Sequence, residues 1–103
     1  MSKMAVLLQV DFPSQGPFKQ EMAIAFKALA ESINLENGMI WKIWTENSET
    51  LESGGVYLFD NQANAETYLK MHTARLESFG LTDIRAKIFE INQELSTINH
   101  API

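Results

Sequence analysis

Apolar residues run almost unbroken from Met4 to Phe12, and the run closes on Pro13-Ser14-Gln15-Gly16-Pro17. That length and that stop predict one β-strand followed by a loop. Pro17 suits the first position of a helix, where a missing N–H costs nothing. Beyond it Phe18, Met22, Phe26, Leu29 and Ile33 recur at spacings of four, four, three and four. Lys19, Gln20, Lys27 and Glu31 fall off this stripe, so the segment reads as one amphipathic helix. It ends between Asn34 and Gly38, where Asn37-Gly38 tolerates positive φ.

A second strand covers Met39 to Glu46 and holds both tryptophans of the chain. Regular alternation puts Met39, Trp41 and Ile43 on one face and Ile40, Lys42 and Trp44 on the other, so both faces carry apolar bulk. A polar connection from Asn47 to Ser53 leads into Gly54-Gly55-Val56-Tyr57-Leu58-Phe59, and the pair reads as a long-loop hairpin. Gly54-Gly55 marks a bulge or a close backbone approach. Asp60 or Asn61 supplies the cap of a second helix with Ala65, Tyr68, Leu69, His72, Leu76 and Phe79 as its stripe and Gly80 as its stop. Leu81 to Asn92, with Ile84, Ala86, Ile88, Phe89 and Ile91, predicts a last strand. The tail from Gln93 to Ile103 keeps Leu95, Ile98 and Pro102 without a recognisable period.

The order strand, helix, strand, strand, helix, strand is the split-βαβ, ferredoxin-like plan of the α+β class. It has a four-stranded antiparallel sheet with two helices on one face, built from one domain spanning residues 1–103. The first strand also looks apolar on both sides, with Met4, Val6, Leu8 and Val10 on one and Ala5 and Leu7 on the other. Leaving the second sheet face in water costs roughly 25 cal/mol per Å² of apolar surface. A second copy of the chain is therefore expected to cover it, most simply as a two-fold homodimer.

The net charge of −5 argues against nucleic-acid and anionic-membrane partners, because both rest on Lys and Arg meeting phosphates. The absence of cysteine excludes disulfides and thiol chemistry and fits a reducing compartment. No apolar run reaches a membrane-spanning length, and Gln9 and Asp11 interrupt the first one too early for a signal peptide. A cytoplasmic location is the expectation.

His72 is the most interesting single residue. It lies on the sheet-facing stripe of the second helix, where a neutral imidazole is able to take a proton from a bound substrate. The alternative is a hydrogen-bonded structural histidine. Arg75, three residues on, is a candidate contact for an anionic group, with exposed ion pairing as its alternative. Trp41 and Trp44 point to opposite faces, and whichever faces the helices offers an aromatic wall together with Tyr57, Tyr68 and Phe26. Core filling is the plainer reading of all five. Lys42 is expected to run its stem over apolar surface and hold its amine in water. His72 and His100 stand twenty-eight residues apart, so no metal-ligand spacing is present.

Several separated blocks resemble a known family: Glu31-Ser32-Ile33-Asn34, Gly38 through Glu46, Gly54 through Phe59, and His72-Thr73-Ala74-Arg75-Leu76. They are similar to the small bacterial YdhR mono-oxygenase family, over about Leu7 to Asn99. The resemblance implies a dimeric α+β barrel, two ferredoxin-like protomers packed sheet to sheet, and oxidation of a small aromatic compound by O2 without a cofactor. No family residue roles are carried over. The same superfamily holds haem-degrading enzymes with a histidine on the second helix, an asparagine on the first strand and a tryptophan on the third. His72 matches as an axial ligand, whereas Gln9 and Tyr57 depart. A ligand-binding domain without chemistry is the other alternative. An RNA-recognition reading of Tyr57 and Phe59 lacks the required basic residues.

Overall fold

The computed structural model of the chain describes residues 5–103. Met4, expected in the first strand, lies outside them. The order is β1 (Val6–Pro13), α1 (Lys19–Ala25), α2 (Lys27–Ile33), β2 (Met39–Asn47), β3 (Glu52–Phe59), α3 (Gln62–Ser78), β4 (Arg85–Glu90) and α4 (Gln93–Ile98). The four strands form one sheet in the order β2-β3-β1-β4, antiparallel throughout. This is the ferredoxin-like arrangement, with β1 and β3 in the middle.

One sheet face carries the core. Val6, Leu8, Val10 and Phe12 of β1 and Tyr57 and Phe59 of β3 alternate onto it and meet Ile33, Ala65, Tyr68 and Leu76 from the helices. Asn61 caps α3, its side chain accepting from Asn64 N at 2.8 Å, and Gly80 follows the helix at φ +87°. Gly54 marks a close approach: a Cβ there would collide with the Val10 carbonyl and lie 2.8 Å from Asp11 Cα.

Three elements depart from the sequence reading. The first helix is broken into α1 and α2 at Phe26, which serves as C-cap of one and N-cap of the other with φ −111° and ψ 16°. Beginning at Lys19, α1 starts two residues after Pro17. The alternation expected along β2 is also interrupted, because a bulge between Met39 and Trp41 shifts the register. Met39 therefore packs on the core together with Trp44. Lys42 and Trp44 pair with Tyr57 and Gly55 on the core face, and Trp41 and Ile43 turn to the other. The tail, for which no period was legible, forms α4, capped by Asn92 accepting from Leu95 N at 3.1 Å. Its end reaches back to the sheet, where Trp41 Nε1 donates to Pro102 O at 2.8 Å.

The second face is apolar and partly open. Ile43 is 54% exposed and Phe89 43%, whereas Leu58 between Trp41 and Leu7 is buried. Asp11, Arg85 and Glu52 close one end with ion pairs of 2.6 and 2.8 Å.

Candidate active site

Between the core face of the sheet and the helices lies a cavity of about 300 Å³. Its floor is Val10, Phe12, Ser53, Gly55, Tyr57, Lys42 and Trp44; its roof is Met22, Phe26 and Leu29, with His72 and Leu76 along α3. Among the described residues no aspartate or glutamate lines it.

Lys42 is the residue that sequence reasoning misplaced. Its amine does not run out to water. It sits 3.5 Å from the centroid of the Trp44 ring and 4.7 Å from that of Tyr57. Gly55 makes this possible, since a Cβ there would lie 2.7 Å from Lys42 Cε. Burial first, and then the charge of Arg75, lower the amine to a pKa of about 7. The ring faces favour the ammonium form, but with no carboxylate in the lining the downward direction prevails. The signal was present in the even spacing of Lys42 and Trp44, which places both on one strand face.

His72 lines the cavity and is 4% exposed. Its ring stacks on Tyr68 with centroids 5.1 Å apart. Arg75 Nη2 lies 2.9 Å from His72 Nδ1. A guanidinium only donates, so Nδ1 is the acceptor and the neutral ring carries its proton on Nε2. Burial, with Lys42 and Arg75 as neighbouring charges, holds its pKa down to about 3. His72 is thus equipped to donate from Nε2 and poorly equipped to take a proton. The same tautomer denies an iron ion the Nε2 lone pair.

Arg75 stands behind the lining. Its Nη2 also reaches Tyr68 Oη at 3.5 Å, and Tyr68 Oη donates to Tyr57 Oη at 3.1 Å. The hydroxyl proton of Tyr57 is the last donor of this chain. Burial raises the pKa of both tyrosines, so they remain phenols and serve as donors. Tyr68 is packed behind Tyr57 with ring centroids 5.0 Å apart and is not part of the wall. Trp44 is a wall, stacked on Phe26 at 6.3 Å. Trp41 is not, because three residues of regular strand separate it from Trp44 and put it on the opposite face, as the alternation predicts. Of the predicted wall and site residues, Phe26, Trp44, Tyr57 and His72 converge on the cavity; Tyr68 and Arg75 support it from behind; Trp41 lies elsewhere.

Chemically, this is an apolar aromatic slot with one amine near neutrality and two neutral donors beside it. Such a slot suits a flat ligand bearing an acidic hydroxyl or an enolisable carbonyl. Among the described residues no group of three or more His, Cys, Asp or Glu side chains is placed to hold a metal ion, and no helix is long and apolar enough to cross a membrane.

Among the solved structures that share the fold, two illustrate the likeness. One is described as a putative antibiotic biosynthesis monooxygenase from Deinococcus radiodurans, 16% identical over 84% of this chain and 92% of that one, with a TM-score of 0.59. The other is a protein of unknown function from Nitrosomonas europaea, 15% identical over 89% and 93%, with a TM-score of 0.62. At such identities the likeness speaks for the fold alone. No curated protein matches the chain. The model of the family described as "Putative mono-oxygenase ydhR" matches residues 7–102, nearly the whole chain, and the protein belongs to that family.

Proposed function

We propose that the protein is a cofactor-independent mono-oxygenase that oxidises a small aromatic compound with O2, working as a cytoplasmic homodimer. The observation that carries this reading is the placement of the Lys42 amine against Trp44 and Tyr57 inside a cavity whose lining has no acid. Neutral Lys42 takes the proton of a phenolic or enolic hydroxyl, leaving an oxyanion with carbanion character on the ring. His72 Nε2–H and the Tyr57 hydroxyl donate to developing negative charge. The carbanion gives electrons to O2 and bonds to it, the Lys42 ammonium returns its proton to the peroxide, and loss of water leaves a carbonyl. For a naphthol the balance is naphthol plus O2 to naphthoquinone plus water. Arg75 acts as a positioning residue, fixing the His72 tautomer and the direction of the tyrosine chain.

The expected base has moved from His72 to Lys42 in this account, because Arg75 already occupies Nδ1. Ile43 and Phe89 on the open sheet face support burial against a second copy. Oxygen uptake with a panel of hydroxynaphthalenes tests the reading. Uptake matched by quinone formation supports it; saturable binding of the panel without uptake assigns the protein to ligand binding instead.

A further inference from the structure

Ser53 is 6% exposed and lines the same cavity, on the strand face it shares with Gly55 and Tyr57. Its Oγ is buried and has no hydrogen-bond partner among the described residues. The neighbouring cavity serine differs in this respect: Ser14 Oγ accepts from Gly16 N at 3.1 Å. A buried hydroxyl without a partner costs about 1–3 kcal/mol, so its presence in the cavity wall calls for a ligand atom. The end of the Lys42 side chain lies against Gly55, two strand residues from Ser53, a spacing of about 7 Å. Phe12 and Val10 of β1 pair with Ser53 and Gly55 on one side, Trp44 of β2 pairs with Gly55 on the other, and all three line the cavity.

We infer that Ser53 Oγ is a second anchor of the substrate site, and that the cavity selects a flat aromatic bearing two separated oxygen groups. The ionisable one meets Lys42 and the other, a hydroxyl or carbonyl, meets Ser53. This rests on the aromatic-ligand part of the proposed function and not on its oxygen chemistry. It sets a specificity rule: aromatics with one oxygen, or with two adjacent oxygens, leave Ser53 unpartnered and bind less well.

Isothermal titration under anaerobic conditions, where no turnover occurs, separates this claim from the reaction. The probes are 2-naphthol, 2,3-dihydroxynaphthalene and 2,7-dihydroxynaphthalene, titrated into the wild type and Ser53→Ala. The 2,7-diol binds the wild type about fivefold more tightly than the other two, the worth of one hydrogen bond. Ser53→Ala removes that preference, keeps the affinity for 2-naphthol, and unfolds at the same or a higher temperature without ligand. A preference that survives in Ser53→Ala, an equal loss for all three probes, or no preference in the wild type overturns the inference while the site stands. Failure of all three probes to bind wild type overturns the inference and the aromatic-ligand reading together.

Discussion

Arg75 Nη2 lies 2.9 Å from His72 Nδ1, and this one contact decides which way the histidine faces chemically. A guanidinium has no lone pair to offer, so the imidazole accepts at Nδ1 and presents Nε2–H to the cavity. Nitrogen NMR of labelled histidine should find His72 as the Nε2–H tautomer and find no titration between pH 5 and 8, consistent with a pKa pushed down to about 3. Arg75→Met removes a charge that lowers this pKa and releases Nδ1. The tautomer then mixes and the pKa rises. An unchanged spectrum in Arg75→Met would show that the contact has no hold on the ring.

Lys42 makes stability depend on pH. Its folded pKa of about 7 lies below the ordinary lysine value of 10.5. Between those two values the unfolded chain binds the extra proton, so stability rises with pH across that window and the penalty is complete below it. Lys42→Met removes the partly buried cation. Its midpoint of thermal unfolding at pH 6 should exceed that of wild type by several degrees, about 1 kcal/mol or more for a domain of this size. Scans from pH 6 to pH 10 check this, and the two curves should converge toward the alkaline end.

Gly55 should resist substitution for a reason visible in its neighbour. A Cβ at that position meets Lys42 Cε at 2.7 Å and Tyr57 Cε1 at 3.3 Å. Gly55→Ala is expected to keep the fold at a cost of about 1–3 kcal/mol and to push the amine off the Trp44 face. Oxygen uptake should fall at least tenfold, and the Lys42 pKa, read by NMR of the ammonium, should rise toward its ordinary value. A variant with full activity would separate Gly55 from the placement of the amine.

Glu46 ties the end of β2 to the start of α1, Glu46 Oε1 accepting from Lys19 N at 2.7 Å. Met22 of α1 roofs the cavity. Glu46→Ala should cost about 1 kcal/mol, the worth of a lost cap, and hydrogen exchange should accelerate in residues 19–25 more than in α3. Uniform exchange over both helices would assign Glu46 no local role.

Strand order, a cap for α3 at Asp60 or Asn61, the stop at Gly80 and a bulge or close approach at Gly54-Gly55 were legible, because each depends on local periodicity or on a residue with special backbone freedom. Other features were not. The break at Phe26 leaves the apolar stripe intact, so the spacing of Phe18 to Ile33 carries no trace of it. The β2 bulge hides among residues that are apolar on both sides, and it moves Met39 to the face of Trp44. Lys42 has the residue type of a surface cation, whereas its strand parity with Trp44 puts it on the core face. Arg75, a candidate contact for an anionic group with ion pairing as its alternative, lies one layer behind the lining against His72 and Tyr68, a placement that depends on side-chain directions the spacing along α3 leaves open.

The central claim is that the neutral Lys42 amine starts the reaction. Oxygen uptake with 2,7-dihydroxynaphthalene from pH 5 to pH 9, in wild type and in Lys42→Met, tests it most directly. The account predicts a wild-type rate that rises through an apparent pKa of about 7, set by the amine, and a rate at least a hundredfold lower without that step in the variant. A Lys42→Met protein that consumes oxygen at the wild-type rate with the same pH profile would contradict it.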